Sequence, residues 1–447
     1  MQTDARIDAL HQLLTRPMDA AQLCAALAMS QSAFSRWSRT VPGLIALGAA
    51  RSRLYAMARP IAGVVTPLTV TAVDANGQLQ QIGNFHALAD GWYALTSSDS
   101  NSYRLYQGLP PFIADLRPQG FLGRLEPRKY AELDLPADIL RWNDDHVLQY
   151  LSRRSEHAAG NLILGEESLS RYWESRQRAD QAVIQACAQA QHYPELAQAA
   201  MRGEPAGSSA GGEQPKFTCI VQPGDDPDLV SHVLVKFSPP TDTESGRRWA
   251  DLLVCEHLAL STLRQHGLPA ADSTVRHLGE RVFLEVMRFD RQGRHGRLPM
   301  ITLAALDGEL GMLDQSWTAA ARKLWEQQQL PEEDRKLVEI FDLYGSLIGN
   351  VDKHHGNIAV SWDDKPRYRL LPAYDMLPML YRPNSHGEVI EREWSALSLR
   401  GMNMSHLAAG MALAQAFWTQ VDNDERISAE FKAIAARHAA AILRLAQ

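Results

Sequence analysis

The sequence predicts an α+β chain in two lobes, a small strand-rich one ahead of a larger helical one, with a winged helix-turn-helix unit in front of both. Three observations carry this. Residues 1–62 read as short amphipathic helices followed by a hairpin, and their charged bases are all arginine. Residues 203–237 set a Gly- and Ser-rich loop before two strands. Residues 332–375 run a long amphipathic helix into G-N-V-D-K-H-H-G-N and then into an apolar strand ending at Asp375.

Size and composition bound the rest. The 447 residues fit about three units at ~150 residues each. Hydrophobic content of 45% and charged content of 22% are those of a globular protein with a sizeable core. A net charge of −7 excludes a protein that coats nucleic acid over its whole surface, yet leaves room for a local basic module. Cys24, Cys187, Cys219 and Cys255 stand far apart with no C-x-x-C pair, which fits reduced thiols and argues against a disulfide or zinc framework. No apolar run approaches the ~20 residues that span a bilayer. The first residues, M-Q-T-D-A-R-I-D, are acidic where a signal peptide would be basic. The expectation is a soluble, cytoplasmic protein with no membrane partner.

In chain order, residues 4–16 put Ile7, Leu10, Leu13 and Leu14 on one helical face. Pro17 stops that helix, Asp19 can cap the next, and Ser30 or Ser32 can cap a third. Residues 44–47 and 51–56, around Gly48-Ala49-Ala50, read as the hairpin that makes the unit winged. Residues 1–65 carry seven Arg against three Asp, a charge of +4 that leaves −11 for the remainder. Such segregation suits operator DNA as a partner, because each Arg–phosphate contact releases counterions. Gln31, Ser32, Ser35 and Arg36 are the side chains for base edges, with Arg51 and Arg53 on phosphate or in the minor groove. A trihelical packing or dimerisation module is the competing reading.

Residues 66–125 predict a small antiparallel sheet, with strands at 66–73 and 78–85 joined by Asn76-Gly77, then 92–95 and 103–106. Residues 136–200 turn helical, most clearly at 145–152 and 170–192, and Glu166-Glu167-Ser168 opens a polar stretch that reads as a solvated face. The expected division is 1–62, 63–135, 136–290 and 291–447.

The loop at 203–216 holds Gly211, Gly212 and Lys216; it is neither a Walker A sequence nor G-x-G-x-x-G, and on composition alone it also reads as a linker. A strand at 232–237 follows with Lys236, then a helix at 249–266 in which Glu256 can pair with that lysine. The strand at 281–291 puts Glu285, Met287, Phe289 and Asp290 where a hinge meets adenine. The helix at 332–348 delivers Asp352, His354 and, five residues after Asp352, Asn357. In phosphoryl transfer one Asp orients the attacking hydroxyl, while an Asn and a second Asp hold magnesium on the phosphates. Hard Mg²⁺ keeps several waters, so Asn357 and Asp375 suffice as protein ligands. The tail from 404 reads as two helices divided at 422–424.

Taken together, S-A-G-G-E-Q-P-K (209–216), V-L-V-K-F, R-F-D-R (288–291), G-N-V-D-K-H-H-G-N (349–357) and A-Y-D resemble the HipA family of bacterial Ser/Thr kinase toxins, over roughly residues 66–440. The N-terminal unit is extra to HipA and looks like the HipH (YjjJ) branch, in which a DNA-binding module is fused to the kinase. The resemblance implies a bilobal protein kinase-like fold, ATP and Mg²⁺ as cofactors, Asp352 as catalytic base beside His354, and Lys236 on the ATP phosphates. It implies autophosphorylation at Ser209, with adjacent Ser208 as the alternative, and a protein substrate for which the family offers an aminoacyl-tRNA synthetase; it also allows a homodimer. Two departures stand out: Glu213 brings a carboxylate into the loop, and Lys353 sits beside the base, free to meet phosphate or solvent. Residue types alone leave open a nucleotide-sensing regulator without phosphotransfer, and a Mg²⁺-dependent nuclease using Asp352, Asn357 and Asp375.

Overall fold

Caps written into the sequence set the first helices. The computed structural model describes residues 2–49, 53–178, 183–202, 214–224, 226, 229–311, 316–361, 368–384, 386–395, 399–400, 402 and 404–445. Asp19 and Gln22 form a reciprocal capping box on helix Ala20–Ala26, and the Ser30 hydroxyl accepts the Ala33 amide at the start of helix Gln31–Trp37. With helix Gln2–Leu13 they close over Leu10, Leu14, Leu23 and Phe34. Three antiparallel strands pack against these helices in the order Met18–Asp19, Leu54–Met57, Leu44–Leu47, and Phe34 meets Tyr55 edge to face at 5.0 Å. The Met18–Asp19 strand adds to the expected hairpin; two residues are too few to show a period.

A second sheet is antiparallel throughout, in the order Tyr103–Gln107, Trp92–Ser97, Leu79–Ala87, Leu68–Val73, Leu162–Leu164. Gly77, at φ +78°, supplies the left-handed residue of the Asn76-Gly77 turn. The last strand comes from the segment that the sequence reading groups with the following lobe. Its three residues are all buried, so neither period is visible in them. Helices Asp144–Arg154 and Glu166–Arg178 pack on each other and on that strand. The stretch at Glu166 is not simply a solvated face, because Ser168 is fully buried. Its hydroxyl accepts the Ser155 amide at 2.9 Å and donates to Leu151 O at 2.8 Å, while Glu167 pairs with Arg154 at 2.8 Å. The single helix expected over 170–192 is also broken: strand Val183–Gln185 pairs in parallel with Lys216–Gln222 before helix Gln189–Arg202 begins. Sheet pairing there overrides the helical propensity of the Ala- and Gln-rich sequence.

The third sheet runs Ser273–Leu278, Arg281–Met287, Ser231–Phe237, Lys216–Gln222, Val183–Gln185. Helix Glu244–Gln265, capped by Thr243, backs it. In the helical lobe, Glu332–Leu347 lies between Trp317–Glu326 and Leu407–Asn423. Leu407–Asn423 also touches Ala429–Leu445 and the Glu244–Gln265 helix, so one apolar cluster runs from the second sheet to the C-terminal helices. All four cysteines are free. Among the described residues no helix is long and apolar enough to cross a membrane.

The second sheet also touches strand Gly296–Arg297. Arg297 N donates to Asp74 O at 2.9 Å, and a Cβ on Gly296 would stand 2.0 Å from Ala75 O. Gly296→Ala is therefore expected to cost about 2 kcal/mol, the range of overpacking, read as a lower urea midpoint. An unchanged midpoint would show that the contact yields freely.

Candidate functional site

Strand register places two lysines side by side. Lys216 and Lys236 are direct partners on neighbouring antiparallel strands, and both line a cavity of about 180 Å³ between the third sheet and the helical lobe. Lys236 is 2% exposed. Its Nζ donates to Glu256 Oε1 and Oε2, both at 2.7 Å, and to Asp375 Oδ1 at 2.5 Å. Burial opposes the charge of Lys236, but Asp375 and Glu256 outweigh it and raise the pKa. Burial likewise opposes the Asp375 carboxylate, and Lys236 with Lys216 overcomes it, holding that pKa low. For Glu256, fully buried, desolvation prevails over Lys236 and the pKa is raised.

Asp375 reaches the lysine from a left-handed backbone, φ +54°, unusual for a residue with a side chain. The chain before it is tied across to the other lobe by an isolated bridge, with Ala271 N donating to Ala373 O at 2.9 Å and Ala373 N to Pro269 O at 3.0 Å. Tyr374 fixes the turn from below, donating its hydroxyl to Gly356 O at 2.8 Å and tilting over Phe289 at 5.6 Å.

The loop that carries Asp352 and Asn357 leaves helix Glu332–Leu347 through Gly349, at φ +80°. Asn350, 2% exposed, spans the site: its amide nitrogen donates to Asp375 O at 3.4 Å and its oxygen accepts the Asp352 amide at 3.0 Å. The buried Asn357 side chain donates to Asp352 O at 2.9 Å and lines the lysine cavity. Asp352 itself borders an adjoining cavity of about 660 Å³. His354 lines both cavities, and its carbonyl accepts from Trp317 Nε1 at 3.0 Å. Buried His355 pairs with Asp307 at 2.8 Å, a structural contact.

Several expected positions differ. Lys353 is held by the helix ahead of it: its Nζ donates to Asp342 Oδ1 at 2.5 Å, Asp342 O at 2.8 Å and Ser346 Oγ at 2.7 Å, while the residue borders the same cavity as Asp352. Burial lowers its pKa against the pull of Asp342. The Glu285 carboxylate faces away from the cavity, where Tyr193 donates to it at 2.9 Å and Arg276 pairs with it. Register accounts for this: Val286 pairs with Leu234 on the cavity face, Glu285 points to the other face, and Met287 reaches the cavity from the last position of the strand. Asp290 lines the cavity but is neutralised by Arg288 at 2.8 Å and Arg291 at 2.6 Å, and it accepts the Gly160 amide at 2.9 Å. Met287 and Phe289 do line it. Ser208, Ser209, Gly211, Gly212, Glu213 and Arg51 lie outside the described residues. The sequence reading missed Asn350, and it missed Asp115, which lines the cavity and accepts the Thr302 amide at 2.8 Å and hydroxyl at 2.5 Å. A polar residue immediately before the loop was the available signal for Asn350; nothing local marks Asp115.

A bilobal α+β fold with a buried Lys–Glu–Asp cluster at the lobe junction defines the class. Residues 208–444 match the HipA-like C-terminal domain, and residues 64–173 match the middle domain of YjjJ-like toxins. The chain belongs to the HipA-like family. Within it, the chain is 38% identical over 425 residues to Toxin YjjJ of Escherichia coli strain K12, covering 95% of this chain and 94% of that protein. Among solved structures, it resembles the HipA–HipB–operator DNA complex of Shewanella oneidensis MR-1 with a TM-score of 0.52 and 15% identity, over 84% of this chain and 96% of that chain. The kinase CtkA of Helicobacter pylori matches 53% of this chain and 94% of its own at 12% identity and a TM-score of 0.33, too distant to carry weight.

The Lys353 contacts are testable. Lys353→Ala leaves Asp342 buried without its cation and is expected to cost about 3 kcal/mol in a urea titration. The Lys353→Ala, Asp342→Ala double variant should lose less than the two single losses added together. Strict additivity would rule out the pair as the cause.

Proposed function

We propose that this chain is an ATP- and Mg²⁺-dependent Ser/Thr kinase of the HipA toxin type, with an N-terminal winged helix-turn-helix that binds operator DNA. The observation that carries the kinase reading is the Lys236–Glu256–Asp375 cluster facing a cavity that Asn357 and His354 also line. Lys216 and Lys236 supply positive charge for phosphates, and Met287, Phe289 and Tyr374 supply apolar wall for a base. Asp375 and Asn357 offer the oxygen donors that suit Mg²⁺. Among the described residues no three His, Cys, Asp or Glu side chains form a metal group, so phosphate and water oxygens complete the shell in this reading. Bound there, Mg²⁺ would neutralise charge on the phosphates.

Asp352, across His354 from the lysines, takes the proton of a serine hydroxyl. The serine oxygen bonds to the γ-phosphorus as the bond to the departing ADP oxygen breaks. By family resemblance the first serine modified is Ser209 or Ser208, and the outside substrate is a protein of the aminoacyl-tRNA synthetase kind. Intact mass after incubation with ATP and Mg²⁺ tests this. The wild type should gain one phosphate on residues 203–216, and Asp352→Ala should lose about 10²–10⁴-fold in rate, the worth of a positioned base. ATP binding without any mass gain would leave a nucleotide-sensing regulator.

For the DNA reading, the supporting observation is helix Gln31–Trp37, which buries Phe34 and exposes Gln31, Ser32, Ser35 and Arg36. Arg36→Ala with Arg53→Ala should weaken binding to the gene's own upstream DNA and reduce the salt slope by about two. An unchanged slope would remove this module from DNA contact.

A further inference from the structure

A second cavity, of about 550 Å³, lies beyond the Arg288–Arg291 turn from the lysine cavity, and Arg288 lines both. Seven arginines and two glutamates line it, so its field is strongly positive. Helix Glu166–Arg178 contributes Arg171 and Arg176, and the hairpin after Asp290 contributes Arg291, Arg294 and Arg297.

The chain supplies acceptors for some of these groups. Arg291 is bound by Asp290, by Gly160 O at 2.9 Å and by Ala158 O at 2.7 Å, and Arg176 donates to Gly77 O at 2.6 Å. Arg297 is different. It is 5% exposed, lies 4.8 Å from the Tyr172 ring and gives Nη2 to Glu156 O, yet among the described residues its Nη1 is buried without a hydrogen-bond partner, as is Glu156 Oε2 of the same lining. A guanidinium nitrogen left this way bears its desolvation cost with nothing to offset it, and folded proteins seldom keep one. His157 and His232 also line the cavity. Burial, reinforced by the arginines, pushes their pKa values down to about 3 and about 4, so both are neutral at physiological pH and able to accept as well as donate. On the sheet side, Ile184, Leu196 and Ile220 form an apolar strip.

We propose that this cavity binds a small anion carrying two or more phosphates, with Arg297 and Arg176 as its principal donors. Depth favours a small molecule over a polynucleotide. The side chains of Arg291 and Arg297 sit inside the fold, at 6% side-chain and 5% residue exposure, where phosphates on a helical backbone do not reach. The same chemistry is offered by inorganic pyrophosphate and by a nucleoside diphosphate, whose base can use the apolar strip.

Calorimetric titration of the full-length protein without Mg²⁺ tests the site, using sodium pyrophosphate and, separately, ADP. One pyrophosphate per chain is expected, with binding retained in Lys236→Gln. Affinity should fall about tenfold or more in Arg176→Ala and in Arg297→Met, the worth of one charge-assisted hydrogen bond. Arg176 stands outside the buried floor, so its variant keeps the test open where Arg297→Met fails to fold. Tighter, arginine-dependent binding of ADP would assign the nucleotide as ligand, and equal affinities the bare phosphate chain. Binding that survives both arginine variants, or vanishes in Lys236→Gln, overturns the proposal. So does a single-stranded oligonucleotide that displaces pyrophosphate and binds more tightly.

Discussion

One ammonium group held between two carboxylates sets the terms for the rest of the molecule. Lys236 comes from a sheet strand, Glu256 from the helix behind it, and Asp375 from a left-handed turn in the other lobe. Each is costly to bury alone, and the geometry must be close before their attraction repays desolvation. The cluster therefore forms as a unit. A single nitrogen atom registers whether sheet, helix and helical lobe are all in place.

Around it, the groups suited to chemistry stand on a scaffold of contacts that do no chemistry. Asn350 joins the Asp352 and Asp375 segments, Lys353 roots the loop in helix Glu332–Leu347, His355 ties it to Asp307, and Trp317 holds the His354 carbonyl. These supports reach into separate stretches of chain. Each uses a hydrogen-bonded polar pair at least partly buried, which fixes direction as well as distance, whereas apolar packing would tolerate sliding.

How much of this is legible in the sequence depends on the range of the forces involved. Asp19 and Ser30 as caps, Asn76-Gly77 as a turn, and the helix ahead of Asp352 are local effects, and short spans of sequence state them. The partnership of Lys236 with Glu256 was legible because a strand followed by an amphipathic helix limits where the helix can pack. Asp375 was legible as a carboxylate at a strand end, but its direct bond to Lys236, across 139 positions, was not. Strand Leu162–Leu164 and strand Val183–Gln185 were hidden because each is only three residues long and takes its structure from a distant partner. The side-chain partners of Glu285 and Lys353 are hidden for a related reason: Tyr193 and Asp342 come from other elements, which the local sequence does not name.

Strand Leu162–Leu164 lies antiparallel beside Leu68–Val73, and Gly165 N donates to Thr69 O at 2.8 Å, so the chain enters and leaves the second sheet at one corner. Topologically the intervening residues, roughly a hundred and so about the size of a small domain, form an excursion whose two ends are clasped by a hydrogen bond. A pull on residue 65 against residue 166 would open this strand pair from its end, one rung at a time. That clasp is one of several ties between the second sheet and the lysine cavity, beside the apolar cluster that runs on to the C-terminal helices and the hydrogen bond from Arg297 to Asp74.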